Sequence, residues 1–255
     1  MKIMVIPDTQ VKPGVPIDHL RWAGLYAVEK KPDVIVHIGD HWDMPSLSSY
    51  DKGKKSFEGR RVKEDIKAGR TAIELFMGPI RNEQNRLRRN KERIWCPRLV
   101  FTIGNHEQRI ERAIDSQAEL DGLISYEDFE LEKEGWEVYD FLDIVCIGGI
   151  AFSHYFVSGV MGRPVSNAKL LLDKKHMSCV QGHHQHRDIA YGQRADGSSM
   201  TSLFVGTFYQ HNEDYLGPQG NGQWRGIWML HNVEDGSFDE MPVPLHYLRA
   251  KYENC

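Results

Sequence analysis

The stretch DVIVHIGDHWD, residues 33–43, is an apolar run that stops at Gly39-Asp40. Its β-branched residues and short length are typical of a buried strand. Two further runs, KIMVIPDT (residues 2–9) and RLVFTIGNHE (residues 98–107), also end in polar residues. Helix-compatible segments separate the three runs, so the pattern predicts β-α-β units and a largely parallel sheet.

The rest of the chain changes in character along its length. The first half contains helical patterns at about 17–31, 59–77 and 80–93. The second half has shorter strand-like pieces, helical patterns near 125–133 and 166–175, and the turn signals Asp196-Gly197 and Asp235-Gly236, which favour antiparallel hairpins. No repeat or flexible linker interrupts the sequence. We therefore predict one domain, residues 1–255, with a basic helical insertion at about 44–98.

Composition excludes several classes of protein. The 255 residues are 40% hydrophobic and 27% charged, which is typical of a soluble globular protein rather than a disordered one. No apolar run approaches the roughly 18–20 residues of a membrane span, and the first residues lack the pattern of a signal peptide. The four cysteines are scattered, which indicates neither a zinc knuckle nor a disulfide framework. Together these features predict a cytoplasmic protein that does not bind membranes.

The net charge of −4 conceals an uneven distribution. Residues 44–98 contain 15 lysines and arginines but only 7 acidic residues, so the remainder of the chain is strongly acidic. Such a contrast suggests a basic element that could bind the phosphates of DNA or RNA. The alternative is that these charges form ordinary solvated helix faces.

Five short motifs follow one another along the chain. They are Asp8-x-Gln10, Gly39-Asp40-x-x-Asp43, Gly104-Asn105-His106-Glu107, Ser153-His154 and Gly182-His183. The first three stand at the ends of predicted strands, where the loops of a parallel sheet form a ligand crevice. Each residue alone has an ordinary explanation, as a turn former, a helix cap or a buried histidine. Those explanations give no reason for the order in which the five motifs occur along the chain.

The series resembles the calcineurin-like metallophosphoesterase superfamily, whose motifs are D-x-H, G-D-x-x-D, G-N-H-E, a lone His and G-H-x-H. The resemblance implies an α/β fold, a four-layer α/β/β/α sandwich of two mixed sheets flanked by helices. It also implies hydrolysis of phosphate esters with two divalent cations, which clamp the phosphoryl group and lower the pKa of a bound water.

The same resemblance assigns roles to individual residues. Asp40 would bridge the two ions, with Asp8 on the first ion, and Asn105, His154 and His183 on the second. His106 would protonate the leaving oxygen, and Asp43 would orient its imidazole. Asn105 and Arg109 are candidates for contact with the substrate phosphate, although an exposed or core-capping Arg109 is the simpler alternative.

Two departures from the family pattern concern the first ion. Gln10 stands where the family has histidine, and so does Gln185 if Gly182 keeps its usual place beside the ligand His183. The alternative register takes His184 and His186 as the H-x-H pair. We prefer Gln185, because both substitutions then affect one ion. Amide oxygen is a harder ligand than imidazole, so we expect Mn²⁺ or Mg²⁺, with iron and Zn²⁺ as alternatives.

The motifs specify the reaction more closely than the substrate. A phosphodiesterase or nuclease is the first hypothesis, because the basic insertion lies between two of the motifs. Trp42, Tyr50, Phe57 and Trp95 are candidates for base stacking. A phosphomonoesterase resembling the protein phosphatases is the second. An inactive binding module, with a weakened first metal site, is the third.

Overall fold

The computed structural model describes residues 1–51, 53–213 and 216–254. Lys52, one of the basic residues counted above, lies outside them. The helices are α1 (Asp18–Lys30), α2 (Val62–Arg89), α3 (Arg109–Ser116), α4 (Ala168–Lys175), α5 (Gly217–Gly220) and α6 (Leu245–Tyr252). Short 3-10 helices span Pro45–Leu47, Lys55–Phe57, Ala118–Leu120, Tyr126–Phe129 and Glu132–Glu134.

The first sheet has six strands and contains the three apolar runs. Its strands are β1 (Ile3–Ile6), β2 (Val34–His37), β3 (Arg98–Thr102), β4 (Trp136–Tyr139), β10 (Gly226–Glu234) and β11 (Ser237–Pro244). The order is β11-β10-β1-β2-β3-β4. The pairs from β1 to β4 are parallel, whereas β10 is antiparallel to both its neighbours.

The second sheet has five strands, all from the second half of the chain. They are β5 (Val145–Ile147), β6 (Ile150–Ser153), β7 (Cys179–Gln181), β8 (Arg187–Gln193) and β9 (Ser199–Val205), in the order β5-β6-β7-β9-β8. β6, β7 and β9 are parallel, and antiparallel hairpins close both edges. β5 and β6 join at Gly148 and Gly149, whose φ values of 58° and 81° suit a tight turn.

Three apolar clusters hold the layers together. One lies between the sheets, where Val5, Val36 and Val100 meet Phe152 and Leu203. The other face of the first sheet packs on α1 and α2, and the other face of the second sheet packs on α4. The order of layers is therefore helix, sheet, sheet, helix, which confirms the predicted four-layer sandwich of two mixed sheets.

Two helix predictions were wrong. The patterns at 59–77 and 80–93 form the single helix α2, which continues through Pro79. A proline ring in a helix clashes with the side chain of the residue before it, and here that residue is Gly78, which has none. The pattern at 125–133 gives two 3-10 turns instead of a helix, since Glu130 adopts a φ of 55° between them.

Within the part of the chain that the structure describes, no helix has the length and apolarity to cross a membrane.

Candidate metal centre

The carboxyl ends of five parallel strands place the motif residues at one edge of the sandwich. β1 leads to Asp8, β2 to Asp40, β3 to Asn105, β6 to His154 and β7 to His183. The first three strands belong to one sheet and the last two to the other. The site therefore forms only when both sheets are assembled.

Glycines next to the ligands permit this close approach. A Cβ on Gly104 would lie 2.2 Å from Oδ1 of Asp40, and a Cβ on Gly182 would lie 2.4 Å from Oδ1 of Asp8. Either contact is far shorter than a van der Waals contact allows. The glycine of each G-N and G-H motif is thus required by packing against a carboxylate of another motif.

Asp40, His154 and His183 form a compact group. One ligand atom of each lies within 4.8 Å of the others. Oδ1 of Asn105 lies between the two imidazoles, 3.0 Å from Nε2 of His154 and 2.6 Å from Nδ1 of His183. His154 donates its Nδ1 hydrogen to the carbonyl of Ile38 at 2.8 Å, so its Nε2 faces the group. This orientation is the usual one for a metal-binding histidine.

The charges of this group suit a cation. Burial tends to lower the pKa of His154, but the carboxylate of Asp40 outweighs it and raises the pKa to about 9. Burial and the charge on His154 lower the pKa of His183 to about 4, so this imidazole is neutral at pH 7 and ready to bind a metal. A metal ion in this place would replace the proton on Nε2 of His154.

The candidate ligands of the first ion carry unpaired polar atoms. Within the part of the chain that the structure describes, Oδ2 of Asp8 is buried without a hydrogen-bond partner, and so are both side-chain polar atoms of Gln10. Buried polar groups are rarely left unpaired, because each costs about 1–3 kcal/mol. Burial, followed by the charge on Asp40, raises the pKa of Asp8 to about 7. A hard cation bound to Oδ2 of Asp8 and Oε1 of Gln10 would satisfy both oxygens, so the residues fit the expected ion.

Oε1 of Gln185 accepts a hydrogen bond of 3.5 Å from the hydroxyl of Tyr209. The other two histidines of the segment have different surroundings. Nε2 of His184 donates to the carbonyl of Val165 at 2.6 Å, and Nδ1 of His186 lies 3.1 Å from the carbonyl of His184. These contacts favour the register in which His183 is the ligand.

His106 and Asp43 form a dyad beside Asp40. Nδ1 of His106 lies 2.8 Å from Oδ1 of Asp43, and Nε2 of His106 is 3.8 Å from Oδ2 of Asp40. Burial tends to lower the pKa of His106, but the carboxylates of Asp40 and Asp43 outweigh it and raise the pKa above its ordinary value. The raised pKa favours the protonated form of this imidazole, whose Nε2 faces Asp40.

Arg109, predicted as a phosphate ligand, is engaged with the protein itself. Its Nη1 donates to the carbonyls of Asp43 at 2.5 Å and Met44 at 3.2 Å. The guanidinium thus holds the loop that carries Asp43. Contact with a substrate phosphate stays a prediction.

Glu107 and Lys12 contact residues of the candidate site, and the sequence analysis assigned no role to either. The carboxylate of Glu107 accepts hydrogen bonds from the backbone N–H groups of Asp40, Trp42 and Gly104 at 2.8–2.9 Å. It thereby fixes the G-D-x-x-D and G-N-H-E loops to each other. The last letter of G-N-H-E was the available signal for Glu107, whereas nothing in the sequence pointed to Lys12.

The candidates for base stacking differ in exposure. Trp42 is fully buried, with its ring stacked 4.1 Å from that of Phe129, so its proposed role in stacking was wrong. Trp95 is half-buried and donates its Nε1 hydrogen to the carbonyl of Pro32. Phe57 is half-buried beneath the guanidinium of Arg60. Tyr50 is 82% exposed.

Comparison with known proteins adds curated relatives and a solved structure. Two curated relatives are called Gene 54 protein, one from Mycobacterium phage D29 (35% identical over 83 residues, 31% of this chain) and one from Mycobacterium phage L5 (40% over 67 residues, 25% of this chain). The matches span 30% and 25% of those proteins, less than a third of either. A solved structure of Yfce, a phosphoesterase from E. coli, matches 96% of this chain and all of that chain at 15% identity, with a TM-score of 0.40.

The family comparison covers more of the sequence. The sequence pattern of the calcineurin-like phosphoesterases matches residues 1–213, which include every motif of the site. The chain therefore belongs to the calcineurin-like phosphoesterase family of metal-dependent phosphoester hydrolases.

Proposed function

We propose that this protein hydrolyses phosphodiesters and that its substrate is a nucleic acid. The observation that carries the proposal is the engagement of the two cationic side chains nearest the dyad. Lys12 binds Asp43 and Glu213, and Arg109 binds the carbonyls of Asp43 and Met44. The phosphoryl group would then be met by the metal ions, Asn105 and His106. A diester carries one negative charge and a monoester two at neutral pH, so this arrangement suits the diester better.

The residues of the chain would divide the work of hydrolysis. When bound, the two cations supply positive charge to the phosphoryl oxygens and acidity to a water molecule. As the bond from water to phosphorus forms and the bond to the leaving oxygen breaks, Nε2 of His106 would give its proton to that oxygen. Asp43 holds Nδ1 and stabilises the charged imidazole before the transfer.

The donor sets suggest which metals the protein uses. The second set contains two imidazoles, whereas all candidate side-chain donors of the first set are oxygens, from Asp8, Gln10, Asp40 and Gln185. We propose that the first set holds Mn²⁺ or Mg²⁺, which prefer oxygen ligands.

Charge at the carboxyl end of α2 supports nucleic acid as the substrate class. Several basic residues of the insertion are paired with carboxylates, namely Arg60, Arg70, Arg81 and Arg86. At the end of α2, Arg88, Arg89, Lys91 and Arg93 are exposed, and none has a carboxylate partner among residues 1–51, 53–213 and 216–254. This cluster can therefore bind phosphates.

A phosphomonoesterase is the second candidate. The pairing of Asp43 with His106 favours it, because a charged acid at the leaving oxygen assists monoesters of alcohols as well. Gln10 and Gln185 would instead favour a binding module if they weakened the first ion site enough to abolish hydrolysis.

The reaction can be tested on the metal-stripped protein reloaded with Mn²⁺. We expect a higher kcat/KM for bis(p-nitrophenyl) phosphate than for p-nitrophenyl phosphate. His106→Asn should reduce turnover of a dinucleotide by a factor on the order of 100, with the metal content intact and a smaller loss on the nitrophenyl ester. A preference for the monoester would select the second candidate. Full metal content without hydrolysis of either ester would favour the binding module.

Nucleic acid as the substrate can be tested through the end of α2. His41, next to Asp40 in the chain, contacts the carbonyl of Gly69 on α2. Arg86 lies 17 residues beyond Gly69 along this helix, a distance of about 25 Å at 1.5 Å per residue. Only a strand of roughly eight or more nucleotides would reach from the candidate metal centre to the carboxyl end of α2. Changing Arg88, Arg89 and Arg93 to Ala should weaken binding of a 20-nucleotide strand and flatten its salt dependence.

The matched control changes Lys169, Lys174 and Lys175 of α4 to Ala. Equal binding by the two triple variants would count against the proposed role of α2.

A further inference from the structure

Lys12 lies between two carboxylates that are far apart in the sequence. Its Nζ is 3.0 Å from Oδ2 of Asp43 and 2.7 Å from each carboxylate oxygen of Glu213. The side chain of Lys12 is 22% exposed, that of Asp43 11% and that of Glu213 5%. The ammonium is therefore shielded from water and held by both acids.

This contact completes the hydrogen bonding of Asp43. Oδ1 of Asp43 faces Nδ1 of His106 at 2.8 Å, and Oδ2 faces Lys12. The backbone also joins the two loops, since the N–H of Asp43 donates to the carbonyl of Val11 at 2.9 Å. With each oxygen bound to a different partner, the carboxylate has one preferred rotation. That rotation keeps Nε2 of His106 directed at Asp40.

Glu213 in turn fixes the position of Lys12. Its backbone N–H donates to Oδ1 of Asn221 at 2.8 Å, and Nδ2 of Asn221 donates to its carbonyl at 2.8 Å. Nε2 of His211 lies 2.7 Å from its Oε1. These contacts hold the carboxylate rigidly, so the ammonium cannot swing away from Asp43 without leaving a buried charge unpaired.

We propose that Lys12, fixed by Glu213, is a positioning residue for hydrolysis: it keeps Asp43 turned toward His106 and so aligns the proton donor with the leaving oxygen. The proposal rests on the proposed function, because it assumes that His106 protonates the leaving group. Lys12 itself does not touch the substrate.

The test compares two substrates that differ in their need for a proton. The alkoxide that leaves from a dinucleotide must be protonated, whereas the nitrophenolate that leaves from bis(p-nitrophenyl) phosphate is stable without a proton. With the Mn²⁺-loaded protein, Lys12→Met should lower kcat on the dinucleotide by roughly 10- to 100-fold, the range for loss of a supporting hydrogen bond. On the nitrophenyl ester the loss should be about threefold or less.

Further variants separate positioning from mere stability. Lys12→Arg keeps the charge and should recover at least part of the activity on the dinucleotide. Glu213→Gln should lower kcat on the dinucleotide less than Lys12→Met does, again with a smaller loss on the nitrophenyl ester. It replaces Lys12→Met as the test if that variant fails to fold. Lys169→Met removes an exposed ion pair with Asp173 on α4 and should resemble the wild type on both substrates.

Equal losses on the two substrates in Lys12→Met and Glu213→Gln, together with lower melting temperatures, would overturn the proposal by showing a structural role. Its failure is distinguishable from failure of the proposed function. In the first case the wild type is active and His106→Asn alone discriminates between the substrates. In the second case the metal-loaded wild type hydrolyses neither ester, and the proposed role of Lys12 is then excluded together with the proposed function.

Discussion

At the scale of single residues, the segment QGHHQH (residues 181–186) shows how neighbouring histidines acquire different roles. His183 and Gln185 have positive φ values of 67° and 58°, so the chain turns sharply after β7 and does not alternate as a strand would. The ring of His184 stacks on Phe204, with the centroids 5.2 Å apart, and packs against the second sheet. Of the three histidines in this segment, all of them described by the structure, only His183 contacts the side chain of Asn105.

This difference predicts the metal content of three variants. His183→Ala should lose one equivalent of bound metal and nearly all activity, because the second ion loses an imidazole. His184→Ala and His186→Ala should retain both equivalents. Elemental analysis after dialysis measures the content directly, and a lost equivalent in His186→Ala with a full complement in Gln185→Ala would support the other register.

At the scale of elements, the position of α2 depends on its contact with α1. Gly24 of α1 faces α2, where a Cβ would lie 2.2 Å from the carbonyl oxygen of Phe76. At Gly78 of α2, a Cβ would meet no atom of the described residues within 4 Å beyond its neighbours in the chain and its own helix backbone. The two glycines thus offer a comparison between a contact position and an open one.

We predict that Gly24→Ala lowers the free energy of unfolding by about 1–3 kcal/mol, the usual cost of overpacking. Gly78→Ala should stay within about 1 kcal/mol of the wild type, because its gain in helix propensity is offset in part by the ring of Pro79. For a chain of this size the first change lowers the melting temperature by roughly 2–12 °C. Calorimetry of both variants checks the difference, and equal values would contradict this account of the interface.

At the scale of the whole molecule, the metal centre joins the two sheets. Asp8 and Asp40 come from the first sheet, and His154 and His183 from the second. Without metal ions, the buried carboxylates of Asp8 and Asp40 repel each other, which contributes to the raised pKa of Asp8. Metal ions that bind only the folded chain should therefore stabilise the whole sandwich.

The metal-stripped protein should lose stability as the pH rises from about 7 to 9. The folded pKa values of Asp8 (about 7) and His154 (about 9) lie above the ordinary values of 3.8 and 6.5, so each group contributes stability that is lost as the pH rises through its folded pKa. Below about pH 7 the buried histidines with a lowered pKa, such as His183 at about 4, act in the opposite direction, whereas above it they are neutral in both states. Thermal unfolding in EDTA measures the effect, and Mn²⁺ should raise the melting temperature more at pH 8.5 than at pH 5.5.

Asp8→Asn is the control for this prediction, since it removes one of the two groups. Between pH 5 and 7 its melting temperature in EDTA should fall less, or rise more, than that of the wild type. A wild-type value that rises with pH relative to this variant would contradict the prediction.

The sequence by itself determined the strands and the motif residues, and the order of the layers followed from the resemblance that those motifs carry. Each apolar run is a buried strand whose ends are marked by glycine and polar residues within a few positions, and such local signals survive in any fold. The candidate metal ligands stand beside these signals, since Asp40, Asn105 and His154 each directly follow a strand or lie within three residues of its end, and their roles are what the resemblance implies.

Only the tertiary structure decided which side chains meet. Lys12 and Glu213 are 201 residues apart, Trp42 is buried under Phe129, and Arg109 is engaged with backbone carbonyls, none of which a local pattern records. The continuity of α2 through Pro79 likewise depends on packing against α1 at Gly24. Charge pairing and burial are set by the whole assembled surface, whereas strands and turns are set by the residues next to them in the chain.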